Sequence, residues 1–449
     1  MAKGTEKTAN TAVPGDIWMR YLACRVRLEE FGQTHLLRFF GELTNAEREE
    51  LLNDIENTDL EKMKRLYKAA KAQAEGQTGE CGTEAKRSEL NIIPPEVEDE
   101  KELDPEEIET RYKAGLEAIG AGKLAAVTMA GGQGTRLGHN GPKGTFDIGL
   151  DSHRSLFELH ANRLKAVGKA AGNIVPWYIM TSEINHVDTV EFFKAHGNFG
   201  YPAEKLSFFP QTMIPAMTPD GKLQLAAKNR ILKSPNGNGG LFMSMRLRGI
   251  TDELKARGIE YIAVTGVDNC LVKMADPLFL GTLLRSSKKG AVAAAKSYLK
   301  RGPDEKAGVF CLRNGRPCVI EYTEVPQKYA EMTDPEGKYV YGDCNLLSYI
   351  FETDTVEKLG GDGMQYHTAV KKITFIDTGS GEETERSGCY KFELFLFDAF
   401  PELDGLEVLR VDRRDEFAPV KNLHGEDSAD TAREMYIDYF RRNGENGNV

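Results

Sequence analysis

Residues 123–132, KLAAVTMAGG, form an apolar run stopped by glycines, which reads as a buried strand. Runs of the same character follow in IVPWYIMTS, KLSFFPQ, IEYIAVTGVDN and GAVAAAKS, and they alternate with helical stretches such as SLFELHANRLKAVGKAA and GLFMSMRLRGITDELKARG. That alternation predicts an α/β fold with a doubly wound, mainly parallel sheet, because strands joined through helices lie parallel and are covered on both faces. GVFCLRNGRPCVIEYTEV departs from it. Asn314-Gly315 is the dipeptide favoured in tight hairpins, so an antiparallel insertion or edge is expected there.

Ahead of the first strand, residues 18–72 place apolar side chains at helical spacing in YLACRVRLEEF, THLLRFFGEL and LEKMKRLYKAA, without an internal proline. Thr44 with Glu47, and Thr58 with Glu61, have the spacing of a capping box, in which hydroxyl and carboxylate each satisfy an amide at a helix start. From Gln73 to Asp104 the composition turns to Gly, Glu, Lys and Pro and suits a solvated connection. The expected division is a helical region with its linker over 1–104, a main domain over 105–425, and a terminal helix and tail over 426–449. A short helix from Pro105 to about Ile119 opens the main domain; the last helix covers about 427–441, and GENGNV after it should fray.

Bulk properties exclude several classes. Hydrophobic residues at 40% and charged residues at 28% are ordinary for a soluble globular chain, and no apolar run approaches the roughly 20 residues that span a bilayer. The amino terminus has no apolar core of the secretory kind, so a cytoplasmic location is expected. A net charge of -11 disfavours a nucleic-acid partner but not a small phosphate ester, which a few inward cations and backbone amides hold. The seven cysteines (Cys24, Cys81, Cys270, Cys311, Cys318, Cys344 and Cys389) include no C-x-x-C pair and read as reduced, mostly structural thiols.

The first strand runs directly into MAGGQGTRLGHNGPKG, and open α/β sheets bind ligands at the carboxyl ends of their strands. Gly131, Gly132 and Gly134 remove Cβ atoms that would keep a phosphate from backbone N–H groups, and permit positive φ; Arg136 and Lys143 add fixed charge. Leu137 stands where a dinucleotide fingerprint needs its last glycine, and Lys143 lies between Pro142 and Gly144 where a Walker loop needs Gly and Ser or Thr. A lone G-G-x-G also fits a strand-to-helix turn with no ligand. Asp268, at the end of IEYIAVTGVD, is a metal-ligand candidate by position, and equally a residue that caps the turn after it. Gln211 ends LSFFPQ and offers the donor and acceptor that a uracil edge requires, although a single glutamine is more often structural.

Together G-G-x-G-T-R and P-K-G resemble the signature of the eukaryotic-type UDP-sugar pyrophosphorylases, and GQTHLLRFFGEL, FFPQTMIPAM, PNGNGGLF, VDNCLVKMADP, VIEYTEV, GDCN, FELFLFDAF and VLRVDRRDEFAPVKN resemble the UDP-N-acetylhexosamine branch. The resemblance implies a nucleotidyltransferase domain of the nucleotide-diphospho-sugar transferase kind. It further implies UTP and a sugar 1-phosphate as substrates, and a divalent metal, magnesium or manganese. It assigns the nucleotide to Ala130, Gly131, Gly132, Gly134, Thr135, Gln211 and Gly237, and the sugar to Asn238, Glu321, Tyr322, Asn345 and Phe395. The metal falls to Asp268, and phosphate neutralisation to Arg136, Lys143 and Lys421. Without the resemblance, Glu321 reads as a hairpin-edge charge, Asn345 as a turn residue, Phe395 as core and Lys421 as a solvated cation. UDP-glucose synthesis would use the same cradle, and a silent binding protein would keep it. Only 27 residues follow Asn422, fewer than the carboxyl-terminal domain such proteins carry, so no oligomeric state is implied.

Overall fold

A computed structural model describes residues 13–74, 91–361 and 363–444. Cys81, part of the expected linker and the tail after Gly444 lie outside the described residues. The chain divides into two compact units, each discontinuous in sequence.

The smaller unit comprises Met1–Thr83, Met213–Gly237 and Tyr366–Leu394. Two of these pieces were expected inside the main domain, so the linear division does not match the grouping observed. The reason is packing: the four-stranded sheet of Leu225–Ala227, Arg230–Ile231, His367–Ile376 and Glu383–Glu393 contributes Leu225, Ile231, Tyr390 and Phe392 to a core shared with Leu28, Leu51, Leu52, Ile55 and Met63. The helices are Gly15–Glu30, Asn45–Glu56 and Leu60–Ala74. Thr44 and Glu47 form the capping box expected of them. Thr58 does not cap: its hydroxyl donates back to the Asp54 carbonyl at 2.7 Å, and Asp59 takes the amide of Lys62 at 2.9 Å. THLLRFFGEL folds as two short 3-10 turns, Thr34–Leu37 and Phe40–Glu42, instead of an α-helix. Its buried residues Leu36/Phe39 and Leu37/Phe40 repeat every third position, which a three-residue turn aligns on one side.

The larger unit holds the sheet that the alternation predicts. Besides the two-residue strand Ile92–Ile93, which pairs with Leu312 and Arg313, its strands are β1 (Glu98–Asp99), β2 (Leu124–Met129), β3 (Trp177–Thr181), β4 (Leu206–Pro210), β5 (Tyr261–Gly266), β6 (Ala293–Leu299), β7 (Val309–Arg313), β8 (Arg316–Ile320), β9 (Asp343–Glu352) and β10 (Leu406–Arg410). They lie in the order β1-β10-β6-β9-β5-β2-β3-β4, with the β7–β8 hairpin joined to β9 through Val309 and Cys344. β5, β2, β3 and β4 are parallel, as are β6, β10 and β1; β9 runs against both of its neighbours. Asn314 and Gly315 turn the hairpin with φ of 54° and 76°, the left-handed pair a two-residue turn of this kind requires.

β2 shows why the sheet is covered twice. Successive side chains of a strand point to opposite faces. Leu124 and Ala126 enter one core, with residues of helices Pro105–Gly120, Leu156–Ala171, Pro277–Ser287 and Ala429–Arg442; Ala125, Val127 and Met129 enter the other, with Gly240–Leu247, Ile250–Ala256 and Thr353–Leu359. Gly249, at φ 66°, separates the two helices read as one stretch in GLFMSMRLRGITDELKARG.

Candidate active site

Beyond β2 the chain from Ala130 to Thr145 folds back on itself. Gln133 pairs with Pro142, the Gly134 amide donates to Gly141 O at 3.0 Å, and the Lys143 amide donates to Gly132 O at 3.1 Å. Lys143 is thereby fixed at the base of the loop although it lies eleven residues beyond Gly132. Positive φ occurs at Gly138 (66°) and Gly141 (150°), and not at Gly131, Gly132 or Gly134, the glycines whose pattern permits it. Gly131 and Gly134 serve close approach instead. A Cβ on Gly131 would stand 2.3 Å from Nε2 of Gln211, and one on Gly134 would stand 2.8 Å from the His139 ring, whereas one on Gly132 would meet nothing within 4 Å. Gln211 is buried at the end of β4, its backbone N–H donating to Thr181 O at 2.8 Å. The glycine loop and the expected uracil reader therefore touch.

Asp268 follows β5, the strand beside β2, so its carboxylate reaches the same sheet end as the loop. Its Oδ2 lies 3.1 Å from Lys143 Nζ. A third part of the chain arrives by backbone pairing: the Cys270 amide donates to Ala418 O at 3.2 Å, the Val420 amide to Asp268 O at 2.8 Å, and Asn269 bridges Pro419. This pairing brings the backbone segment of Lys421 alongside Asp268, while the Lys421 Nζ pairs with Asp427 at 3.0 Å. Burial pushes the Asp268 carboxyl up, but the Lys143 and Lys421 ammoniums outweigh it and hold the group below its ordinary value. Asp268 is thus an anion at neutral pH. The turn-capping alternative belongs to its neighbour: Asn269 Oδ1 accepts from the amides of Leu271 at 3.1 Å and Ala418 at 2.9 Å.

Two further pairs of expected residues come together. Asn345 and Glu321 both meet Gly308: the Asn345 amide donates to Gly308 O at 2.8 Å, and a Cβ on Gly308 would lie 3.3 Å from Glu321 Oε1. Asn345 Oδ1 accepts from Tyr349 Oη at 2.8 Å and the Leu347 amide at 3.1 Å, and Leu347 lies over Gly266 beside Asp268. Tyr322 is exposed. Asn238 Oδ1 accepts the Leu396 amide at 2.9 Å, next to Phe395. Phe395 is extended, not helical, and half-buried, with its ring stacked on Phe397 at 5.3 Å. Gly237 lies in the smaller unit at φ 80°, where a Cβ would meet Leu394 O at 2.3 Å. Arg136 and Thr135 are exposed, and Arg136 makes no hydrogen bond or ion pair among the described residues.

Sequence reading missed the residues that hold this arrangement. Asn185 is wholly buried; its Nδ2 donates to Ala130 O at 2.9 Å and Gly132 O at 3.2 Å, while its Oδ1 accepts from the Ser182 amide at 2.7 Å and hydroxyl at 3.0 Å. Ser244 Oγ accepts the Thr212 amide at 2.9 Å, one residue past Gln211. Behind Asp268, Asn269 Nδ2 donates to Glu416 O at 2.6 Å, and the Glu416 carboxylate meets the buried Lys296 at 2.6 Å. The only prior signal was the position of Asn185 before a helix, since polar residues in tertiary contacts carry no local pattern.

No group of three His, Cys, Asp or Glu side chains that could hold a metal by itself occurs among the described residues. A lone ionised carboxylate suits magnesium, which takes one or two carboxylates plus phosphate oxygens and waters, and does not suit a fully protein-ligated metal.

Residues 74–426 match the family described as UTP–glucose-1-phosphate uridylyltransferase. The chain belongs to this family. It is 36% identical over 435 residues to UDP-N-acetylglucosamine diphosphorylase 2 of Arabidopsis thaliana, covering 92% of this chain and 82% of that protein. It is 34% identical over 430 residues to UDP-N-acetylglucosamine pyrophosphorylase of Saccharomyces cerevisiae, covering 91% and 88%. Among solved structures it is similar to the uridine diphosphate N-acetylglucosamine pyrophosphorylase of Trypanosoma brucei, at 28% identity and a TM-score of 0.79, over 96% of this chain and 86% of that one. The glycine-rich loop stands at the end of a parallel strand, and the mainly parallel sheet is the fold the chain shares with these relatives.

Proposed function

We propose that this uridylyltransferase makes a UDP-N-acetylhexosamine, UDP-N-acetylglucosamine foremost, from UTP and the sugar 1-phosphate, releasing pyrophosphate. The observation that carries the reading is the convergence of Lys143 and Lys421 on Asp268 beside a glycine loop whose Gly131 abuts Gln211. Four stretches distant in sequence put cations, a carboxylate and a base-reading amide at one end of the sheet.

The sugar phosphate is already a nucleophile, so the protein need supply only position and charge. The backbone amides of Gly131, Gly132, Gln133 and Thr135, with Arg136 and Lys143, hold the triphosphate; those of Ala130 and Gly134 are bonded to Met180 O and Gly141 O. Gln211 pairs with the uracil edge, its amide seated by Gly131 and by Ser244 acting on Thr212. Lys421 neutralises charge that builds on the α-phosphate as attacking and leaving oxygens line up. Glu321, Asn345 and, farther along, Tyr322, Asn238 and Phe395 are the sugar-side groups. Asp268 would anchor Mg2+ or Mn2+, which supplies Lewis-acid charge stabilisation on the phosphates when bound.

Release of pyrophosphate from UTP, followed in a coupled assay with N-acetylglucosamine, N-acetylgalactosamine and glucose 1-phosphates, tests the reading. The N-acetylhexosamine phosphates should give the highest kcat/KM. Preference for glucose 1-phosphate would replace the sugar assignment, and absence of turnover with every sugar despite bound UTP and metal would leave a binding protein.

A further inference from the structure

Cys311 in β7 and Cys318 in β8 are directly opposed partners of the antiparallel hairpin. Their sulfurs are 3.0 Å apart, and both side chains are buried, Cys311 at 1% and Cys318 at 8% exposure. Ile92, Ile320 and Tyr341 pack around them. Opposed residues of an antiparallel pair hold their Cα atoms about 4.5 or 5.5 Å apart, and both spacings lie within the span of about 4.4–6.8 Å that a disulfide bridges. Closing the sulfurs to the bond length of about 2.0 Å therefore asks for a shift of about 1 Å and no change of register.

We propose that Cys311 and Cys318 form a reversible disulfide site that takes peroxides or low-molecular-weight disulfides as oxidants. The step balances for a peroxide. The Cys318 sulfur attacks one oxygen, the O–O bond breaks, and water leaves to give a sulfenic acid. The Cys311 sulfur then displaces the hydroxyl as a second water while the S–S bond forms; two thiol hydrogens and two electrons have passed to the peroxide. Cys318 is the more accessible of the two residues. The hydrogen bond with Cys311 also holds its thiol below the ordinary value against the effect of burial. The other described cysteines, Cys24, Cys270, Cys344 and Cys389, are buried as free thiols, and burial raises the thiol pKa of each. The bridge would lie three residues before Glu321, on the strand from which the Glu321–Val325 turn leaves. It is independent of the activity proposed above.

The full chain is equilibrated in glutathione buffers from reducing to oxidising, and separately with hydrogen peroxide. It is then quenched with acid, alkylated after unfolding and digested; cleavage after Arg313 separates the two cysteines. The expected product is one cross-linked peptide pair joining Cys311 to Cys318, with both thiols lost from the alkylated pool and recovered with dithiothreitol, while Cys24, Cys270, Cys344 and Cys389 stay alkylated. Cys311→Ser and Cys318→Ser should each abolish the cross-link while keeping the unfolding midpoint of the reduced protein within a few degrees. Alkylation of Cys311 and Cys318 as complete as that of Cys24, Cys270, Cys344 and Cys389 at the oxidising end would overturn the proposal, as would equal cross-linking to any other cysteine.

Discussion

Lys143 Nζ lies 3.1 Å from Asp268 Oδ2 across 125 residues of sequence, with the two side chains 17% and 28% exposed. Their partnership fixes a sign in the pH dependence of stability. A carboxyl held below its ordinary value stabilises the fold fully above the unfolded-state pKa of about 3.9, and that contribution is lost as pH falls through the lower folded value. In Asp268→Asn this acid-side slope should flatten, as read from urea midpoints between about pH 5 and pH 2. The same variant should lose about 10²-fold or more in kcat at neutral pH, because several kcal/mol of metal-borne stabilisation go with the carboxylate. An unchanged kcat would remove Asp268 from the metal site.

Gly131 and Gly132 make opposite demands. A Cβ at residue 131 would sit 2.3 Å from the Gln211 amide, so Gly131→Ala must displace that side chain, whereas Gly132→Ala meets no protein atom within 4 Å. Gly131→Ala should cost about 1–3 kcal/mol in stability as an overpacked site, and raise KM for UTP by roughly fivefold for about 1 kcal/mol of base pairing lost. Thermal unfolding of Gly132→Ala should match the parent. If both variants kept the parent KM for UTP, Gln211 would not be reading the base.

Asn185 joins the loop to the turn after β3 through four hydrogen bonds, two given and two received. Asn185→Ala strands buried carbonyls and an amide, each costing about 1–3 kcal/mol where water does not replace the partner. The expected result is about 2–4 kcal/mol less stability in denaturant unfolding, with KM for UTP raised more than KM for the sugar phosphate. Equal effects on the two would make Asn185 a structural residue alone.

How much of this was legible depended on the range of the interaction. The alternation of β2, β3, β4, β5 and β6 with helices is local, and so was the hairpin at Asn314-Gly315; both appear where the pattern puts them. Thr58 lost its cap to Asp59 because two adjacent side chains compete for one helix start, a contest settled by local geometry. The pieces Met213–Gly237 and Tyr366–Leu394 joined the amino-terminal helices through apolar contacts that no spacing along the chain records. Within the site, Lys143 and Asp268 could each be singled out by type and position. Their pairing, and the clamp at Asn185, arise only when the sheet brings β2, β3 and β5 side by side.

Arg136 is exposed and makes no hydrogen bond or ion pair among the described residues, which separates its effect on activity from its effect on stability. Arg136→Ala should leave the unfolding free energy within about 0.5 kcal/mol of the parent, as exposed positions do. It should lower kcat/KM by about 10²-fold or more, the usual cost of a charge placed for the transition state. A near-normal rate would mean that the loop has been assigned the wrong ligand.

Lys296 is tied to the site through Glu416 and Asn269. It is wholly buried, its Nζ lies 2.6 Å from both Asp276 and Glu416, and Lys273 adds a second cation 3.2 Å from Glu416. Removing one member of such a cluster leaves buried carboxylates uncompensated, so Lys296→Met should cost about 3–5 kcal/mol in denaturant unfolding. The effect should also travel. The Glu416 carbonyl holds Asn269, and Asn269 holds Ala418, so a loosened Glu416 lets the segment that carries Lys421 drift from Asp268. At a temperature where Lys296→Met is fully folded, kcat should fall while KM for UTP, assigned above by proposal to the loop and Gln211, stays near the parent value. Loss of stability with kcat unchanged would confine Lys296 to the core.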